Sequence, residues 1–476
     1  MKQAIGDNPE GDMVRPNCAV VGVWGLPAAA NIAYLGLYAL QHRGQEAAGI
    51  VSTNGQLLFR HAAKGLVADA FRDKALLNSL EGGAAIGHNR YSTTGPSSEQ
   101  NVQPLLVEDR SGSVAMAHNG NLVNYLPLRK FLEEEGSLFR TTSDSELILQ
   151  LAARSHTPTF LDRFLEALRM VKGAYSLTLL TRNSLIAARD PNGFRPLCIG
   201  KKDGGWVVAS ESCALDLIGA TYIRDVEPGE VVVFDQDGLR NFHFTPPNEP
   251  THCIFEFVYF SRPDSRVFGD NVDKTRRRLG HILAKFHPAP ADVDYVMSVP
   301  DSSNTAALGY AHESGLPFEI ALIRNHYVGR TFIEPEQKLR DFGVKVKFNP
   351  VIGVLKGKKV VLVDDSIVRG TTLKKLVGHI REAGALEVHV RISSPPVRHP
   401  CYYGMDFPSK EQLAANEMRV EEIRDYIAAD SLEYLSVEEL VSGVPHENGQ
   451  GYCTACFTCT YPIGNGEDEG TIKLGC

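Results

Sequence analysis

Hydrophobic and polar positions follow two rhythms along this chain. In the first half, short apolar runs recur at close spacing with few helical stretches among them. CAVVGVWG, opening at Cys18, has strand character, and NIAYLGLYALQHR has the spacing of a helix. AAIGHNRYS and SVAMAHNG read as strands. A helical stretch is predicted over residues 145 to 171, from the apolar spacing of ELILQLAA and FLEALRMV. Strands recur in YSLTLLT, SLIAARD, WVVAS and EVVVF. Many strands, few helices and no strict strand–helix alternation predict a layered sheet-and-helix unit ending near residue 245. FTPPNEPTH, residues 244 to 252 with three prolines, is the linker candidate.

Beyond it the rhythm alternates. DKTRRRLGHILAKF is helical, YVMSVP is a buried strand, TAALGYAHESG is helical and FEIALIR is a strand. KKVVLVDD is a strand, TLKKLVGHIREAGA a helix closed by Gly384, and EVHVRISSPP a strand. That order predicts a parallel sheet with crossover helices. The first seventeen residues are polar and rich in Gly, Pro and Asp, so they read as a leader, and the tail after residue 464 lacks any apolar pattern. No solenoid-type repeat occurs.

Composition narrows the classes. A chain of 476 residues has room for two to four domains. Apolar residues at 43% and charged residues at 22% describe a globular protein, which excludes a disordered or collagen-like chain despite 43 glycines. A net charge of −8 speaks against long nucleic acid as a partner. No apolar run approaches the ~18 residues of a membrane span, and the N-terminus lacks a secretory signal. Nine cysteines are too few for a disulfide scaffold, so a cytoplasmic protein with free or metal-bound thiols is expected.

The string VVLVDDSIVRGTTL, residues 360 to 373, delivers Asp364 and Asp365 to the carboxyl edge of a predicted sheet. Ser366, Arg369, Gly370, Thr371 and Thr372 then open a helix, offering N–H groups and hydroxyls suited to a phosphate, while the carboxylates suit sugar hydroxyls or Mg²⁺. An acidic turn that only caps a helix needs one Asp and no Gly-Thr-Thr. Residues 255 to 400 resemble the type I phosphoribosyltransferases. The resemblance implies that Asp364 and Asp365 hold the ribose of phosphoribosyl pyrophosphate (PRPP), that the following loop cradles its 5-phosphate, and that SVPDSSNTA holds pyrophosphate. Ser302, with Asp364 and Asp365, falls at the positions associated with one Mg²⁺ per subunit. RNHYVGRTFIEPEQKLRDFG stands where the family has a flap; Arg324, Arg330, Lys338 and Arg340 are its cations, and Glu334 and Glu336 are expected to face outward.

In the first half, Cys18 opens its strand directly after the leader. With the leader removed, its α-amine could serve as a base beside the thiol; read by itself, however, Cys18 fits a buried structural cysteine better. QHRGQEAAGI, GHNRYSTTG, HNGNLVN and TSDSE follow, each setting polar side chains beside glycine. This set resembles the glutaminase domain of amidotransferases that use an N-terminal cysteine, an αββα sandwich, over residues 18 to 235. The resemblance implies Cys18 as nucleophile and Asn119 with Gly120 as oxyanion hole. It implies Arg90 and Asp144 as the grips on the glutamine α-carboxylate and α-ammonium, and Arg43 as a support of the glutamine pocket.

Such a domain followed by a phosphoribosyltransferase domain resembles the amidophosphoribosyltransferases, and FVYFSRPDS at the junction is typical of them. The expected layout is a propeptide over 1–17, a glutaminase domain over 18–245 and a transferase domain over 246–476, giving α+β and α/β folds in series. The expected activity is synthesis of 5-phosphoribosylamine from glutamine and PRPP, with purine nucleotides as feedback inhibitors and a homotetramer as the assembly. An amidotransferase with another acceptor is opposed by DDSIVRGTT; a nucleotide-sensing protein with a dead transferase fold is opposed by the complete glutaminase set. Cys198 and Cys213 lie in apolar surroundings and read as core. Cys453 and Cys456 form a C-x-x-C pair that Cys459 extends, a spacing that lets two thiolates share one metal. A subset of the resembled family carries one [4Fe–4S] cluster per subunit, and the contexts of Cys253, Cys401, Cys453 and Cys456 match its ligands, with Cys459 left out. Zinc is the alternative.

Overall fold

The strand Ala19–Trp24 is almost wholly buried, which explains its unbroken apolar run: it is covered on both faces. In the computed structural model, which describes residues 18–91, 99–246, 248–325, 348–407, 409–445 and 451–464, it lies near the middle of a seven-stranded antiparallel sheet. In spatial order that sheet runs Thr221–Asp225, Cys198–Lys202, Gly205–Ala209, Ala19–Trp24, Ala84–Arg90, Ala47–Thr53 and Leu58–Lys64. A second sheet runs Gly238–His243, Glu230–Asp235, Leu185–Arg189, Gly173–Leu180, Gly112–Leu122 and Leu105–Asp109.

Val20, Val51 and Ile86 of the first sheet meet Ala115, Leu185 and Val232 of the second in one buried layer. Helices Ala29–Ala39 and Ser212–Ile218 pack through Leu37 and Leu215 on the outer face of the first sheet. Helices Ser145–Arg154 and Phe160–Met170 pack through Leu147, Ile148 and Phe164 on the outer face of the second. The result is the αββα sandwich. The helical stretch predicted over 145 to 171 is therefore two helices. The first ends at Arg154 where Ser155 turns extended, Pro158 stands in the gap, and Thr159 starts the second as an N-cap whose hydroxyl accepts the Asp162 N–H at 3.1 Å.

The second unit is a parallel sheet in the order Tyr295–Ser298, Lys359–Asp364, Glu387–Ile392 and Ser431–Tyr434. Helices Val272–Phe286 and Asn304–Ser314 cover one face, Thr371–Glu382 and Val420–Ile427 the other. FEIALIR contributes differently from its apolar reading. Phe318 makes a lone parallel bridge to Val296, and Leu322–Arg324 leaves the sheet to pair antiparallel with Phe348–Pro350. Ile320 and Ile323 stay exposed, so the apolar run covers a surface hairpin instead of filling a central strand.

The linker candidate is tied down rather than loose. Phe244 and His252 are buried, and the Thr251 N–H bonds to the Asn192 carbonyl at 2.8 Å. Thr251–Cys253 pairs in parallel with Gly451–Cys453, placing Cys253 opposite Cys453. Directly after it, Glu256–Phe260 forms one wide buried π-type turn between the two units. Phe194 of the first unit stacks on Tyr403 of the second at 4.4 Å. No helix among the described residues is long and apolar enough to cross a membrane.

Two candidate active sites and a cysteine-lined cavity

The first site lies where the two sheets of the sandwich meet. Strand register sets Ala19 opposite Asn89, one residue from Cys18 and Arg90 respectively. Cys18 is buried, and its Sγ–H points to the Tyr91 carbonyl at 3.5 Å. Burial pushes the thiol up to about 11, against a backbone hydrogen bond with Tyr91 and the Arg90 charge; Asp144 and Glu46 add to the rise. Arg90 is 5% exposed, and its Nη1 has no hydrogen-bond partner among the described residues. Both side-chain amide atoms of Asn119, fully buried on the facing strand, are also without partners. Unpaired buried polar atoms are costly in a folded chain, and two donors and one acceptor left so on Arg90 and Asn119 mark a place suited to a ligand.

Gly120 follows Asn119 with φ near +152°, and a Cβ there would meet the Ala174 carbonyl oxygen at 1.9 Å. Only glycine fits that position without moving backbone. Asp144 precedes helix Ser145–Arg154; its Oδ2 accepts the Leu122 N–H at 2.9 Å, and its Oδ1 lies 3.7 Å from His118 Nδ1. The carboxylate is thereby fixed to the strand that carries Asn119 and Gly120.

Arg43 stands behind the thiol instead of facing open space. Its guanidinium is fully buried, paired with Glu211 and, at 2.6 Å, with Glu256; its Nε reaches the Cys18 carbonyl at 3.5 Å. These carboxylates hold the Arg43 pKa far above its ordinary value in spite of burial. Glu256, Glu211 and Arg195 carry no motif of their own, and reading the sequence alone missed them. FVYFSRPDS, which follows Glu256, was the only signal near that segment.

The second site lies at the carboxyl edge of the parallel sheet. Asp364 ends strand Lys359–Asp364, and Asp365 is buried just beyond it. Ser303 Oγ donates to Asp364 Oδ1 at 2.8 Å and lies 3.3 Å from Asp365 Oδ2; Ser366 Oγ donates to Asp365 Oδ1 at 2.6 Å. Burial raises the Asp365 pKa, opposed by hydrogen bonds from Ser302, Ser366 and Ser303 and by the Arg276 charge. Ser302 thus lies beside Asp365, but the fully buried Ser303 is the hydroxyl that joins both carboxylates. Sequence reasoning passed over Ser303 and Arg276; the serine next to Ser302 was a visible signal.

Gly370 takes φ +79° and caps helix Thr371–Glu382, which sets Thr371 and Thr372 in its first turn. Arg369 turns aside to Gln412 at 2.5 Å. Arg324 pairs with Asp301 at 2.9 Å, joining the two loops named for pyrophosphate. Arg330, Lys338, Arg340, Glu334 and Glu336 lie outside the described residues, as do residues 1–17.

The cysteines separate into groups. Cys198 and Cys213 are buried in the core of the sandwich. Cys253, Cys401, Cys453 and Cys456 line one apolar cavity with Phe194, Phe255, Tyr403 and Tyr461 among its walls. Cys401 Sγ accepts the N–H groups of Tyr403 at 3.3 Å and Met405 at 3.4 Å. Burial pushes the Cys253 thiol up to about 11, and raises Cys453 and Cys456 also. Cys459 is exposed, with φ +65°, and does not line the cavity. Among the described residues, no three His, Cys, Asp or Glu side chains are gathered to hold a single metal ion.

Comparison with known proteins covers both units. Residues 88–217 match the glutamine amidotransferase domain family, and residues 278–404 the phosphoribosyl transferase domain family. The chain is 53% identical over 463 residues to amidophosphoribosyltransferase 2, chloroplastic, of Arabidopsis thaliana, covering 97% of this chain and 82% of that one. It is 50% identical over 449 residues to the amidophosphoribosyltransferase of Bacillus subtilis, covering 94% of each. A solved glutamine PRPP amidotransferase from B. subtilis, complexed with ADP and GMP, superposes with a TM-score of 0.89 at 49% identity, covering 94% of this chain and 98% of that one.

Proposed function

The chain belongs to the amidophosphoribosyltransferase family, and from that premise we propose how its residues divide the work. The enzyme makes 5-phosphoribosylamine from glutamine and PRPP, releasing glutamate and pyrophosphate, the first committed step of purine synthesis. The observation that carries the division of labour is a buried thiol with unpaired polar atoms on Arg90 and Asn119 in the same unit, in the same chain as a carboxylate pair at a sheet edge.

In this reading residues 18–245 are the glutaminase unit, 246–476 the transferase unit, and 1–17 a propeptide. Removing the propeptide frees the α-amine of Cys18 to take the thiol proton. Cys18 Sγ then attacks the side-chain carbonyl of glutamine. Arg90 holds the substrate α-carboxylate and Asp144 its α-ammonium, with Arg43 supporting the pocket from behind Cys18. The oxyanion falls between the Asn119 amide and the Gly120 N–H. The amide nitrogen leaves as ammonia after gaining a proton, and water releases glutamate from the thioester. Ammonia next attacks C1 of PRPP as the C1–pyrophosphate bond breaks. Asp364 and Asp365 hold the ribose hydroxyls. The N–H groups and hydroxyls of Ser366, Arg369, Gly370, Thr371 and Thr372 hold the 5-phosphate at a helix N-terminus. Arg330 and Lys338 meet the pyrophosphate.

Ser302, Asp364 and Asp365 are oxygen donors of the kind Mg²⁺ takes, and a Mg²⁺ held there would neutralise the departing pyrophosphate. Cys253, Cys401, Cys453 and Cys456 suit a [4Fe–4S] cluster. Four thiols spread round the wall of one cavity, one of them accepting two N–H bonds, favour a cubane over a single zinc, which needs ligands gathered at one point. The cluster would act as a staple, since no step above transfers an electron. Purine nucleotides are proposed as feedback inhibitors, a homotetramer as the assembly and the cytoplasm as the location. The test follows glutamate and pyrophosphate together with glutamine, PRPP and Mg²⁺. Stoichiometric release of both is expected, and release of neither by processed protein would overturn the reading.

A further inference from the structure

Four charged side chains with no solvent exposure, Arg43, Glu211, Glu256 and Arg195, lie at the junction of the two units. Two arginines face two glutamates, so the charges cancel. Glu256 is the centre. Its carboxylate takes Arg43 at 2.6 and 3.0 Å, Arg195 at 3.2 Å and the Ser261 hydroxyl at 2.6 Å. Each arginine then reaches a different backbone. Arg43 Nε extends to the Cys18 carbonyl at 3.5 Å, and its plane rests on the Phe260 ring at 5.2 Å. Arg195 Nε and Nη2 both donate to the Tyr403 carbonyl, at 3.1 and 2.8 Å.

The loop that Arg195 grips leans on the glutaminase site. The Asn121 side chain donates to the Tyr402 carbonyl at 2.9 Å. At Gly404 a Cβ would lie 3.1 Å from the Gly120 carbonyl carbon and 3.2 Å from Arg195 Nη2. One carboxylate thus fixes the backbone of the thiol residue on one side and, through Arg195, the loop behind Gly120 on the other. Stability alone does not call for this arrangement, because a buried ionic group is commonly matched by packed apolar residues of the same volume. What apolar residues lack is direction, which a forked guanidinium on a carboxylate supplies.

We propose that Glu256 is a positioning residue for glutamine hydrolysis: through Arg43 and Arg195 it sets the Cys18 main chain and the backing of Gly120 from the transferase side of the junction. The proposal rests on the reading of Cys18 as nucleophile and Gly120 as an oxyanion donor. It makes hydrolysis depend on a residue outside the glutaminase unit that touches no substrate.

The experiment uses processed, full-length protein. Glu256→Gln keeps the shape of the side chain and removes its charge. Glutamine hydrolysis should lose about tenfold or more in kcat, because small misplacements of reacting groups are expensive, while KM stays within about twofold. Ammonia-dependent synthesis should stay within about twofold, since no PRPP contact changes. Arg43→Lys should reproduce the kcat loss, and the double variant should lose no more than the larger single loss, as for two residues acting as one unit. Unchanged kcat in Glu256→Gln overturns the proposal. So does a parallel fall of both activities with Tm, which a merely structural role predicts. If Glu256→Gln does not fold, Glu256→Asp, which keeps the charge on a shorter stem, carries the same test and the same readings. Cys18→Ala is the separate arm: hydrolysis surviving in it overturns the nucleophile assignment itself, whatever Glu256 does.

Discussion

The two candidate active sites are built in opposite ways. Around Cys18 the functional groups come from strands scattered over more than a hundred residues, and they meet only because two sheets stack in one register. Some of their polar atoms are left unpaired: Arg90 Nη1 and both amide atoms of Asn119 have no hydrogen-bond partner among the described residues. At the sheet edge, Asp364, Asp365, Ser366 and Gly370 come from one contiguous strand–loop–helix, and the carboxylates are already bonded to Ser303 and Ser366. One site is poised by global fold and leaves polar atoms of Arg90 and Asn119 unpaired. The other is poised by local sequence and keeps its acceptors satisfied until substrate exchanges hydroxyls with them. The first should therefore answer to changes made far away, the second mainly to changes within its loop.

The largest effect is expected where both nitrogen routes converge. Replacing Asp364 and Asp365 together by Asn should abolish phosphoribosylamine formation from glutamine and from ammonia alike, a loss of roughly a thousandfold or more if ribose binding and orientation both go. Normal ammonia-dependent turnover in that variant would break the comparison at its second term. Cys18→Ala comes next. Glutamine-dependent synthesis should vanish while synthesis from concentrated ammonia persists, measured as pyrophosphate release with each donor. Loss of both would mean that the two sites are not separable in this way.

A pH measurement tests the proposed propeptide. In the chain as folded here, burial pushes the Cys18 thiol up to about 11. The thiolate is the reactive form and it accumulates as pH rises, so alkylation of unprocessed protein by iodoacetamide should be slow at pH 7.5 and accelerate towards pH 11. Removing residues 1–17 places an amine beside the thiol, and alkylation near neutral pH should then quicken about tenfold or more as that base takes the proton. Equal rates at pH 7.5 before and after processing would count against the amine as base.

Legibility followed the same division. The strand, loop and helix end around DDSIVRGTT were readable almost residue by residue, because that string is contiguous. Its flap remains an expectation, since Arg330 and Lys338 lie outside the described residues. In the glutaminase half, resemblance named Cys18, Arg90, Asn119, Gly120 and Asp144, yet the apolar pattern could not have brought them together; that took a register between strands far apart in the chain. Least legible were Glu256, Arg195 and Ser303. Nothing in hydrophobic periodicity distinguishes a fully buried, paired Glu256 from an exposed glutamate, because the partners that neutralise it are 213 and 61 positions away. The gap between the two helices, where Pro158 stands, was visible in principle and was overridden by the strong apolar spacing on either side.

Gly120 offers a smaller break confined to the first site. Gly120→Ala puts a methyl group where the Ala174 carbonyl oxygen lies 1.9 Å away, so backbone must move at the proposed oxyanion position. Loss of one oxyanion donor costs about 100- to 1,000-fold in kcat, and glutamine hydrolysis should fall into that range. Ammonia-dependent synthesis should change little. A comparable loss with both donors would show that the distortion spreads through Gly404 into the second unit.

The smallest expected effect tests the cavity that pins the two regions together. Cys253 sits at the start of the junction, Cys401 on the loop behind Gly120, and Cys453 and Cys456 on the C-terminal segment, and all four line one apolar cavity. Cys459 is only three residues further on, in a C-x-x-C-x-x-C run that by spacing alone could supply a ligand. The structure separates it: the helix ends at Thr458, Cys459 adopts φ +65° as its C-cap, and its side chain is exposed. An exposed thiol that does not line the cavity is not placed to ligate a group enclosed by the other four. Cys459→Ser should therefore leave iron content at about four per chain, the brown colour and Tm unchanged, as a cubane on four other thiolates requires. Cys456→Ser in the same preparation should lose iron and lower Tm, which shows that the assay can detect a missing ligand. Loss of iron from Cys459→Ser alone would mean that the wrong member of the triplet has been assigned, and a colourless wild-type protein carrying one zinc would replace the cluster by the simpler ion.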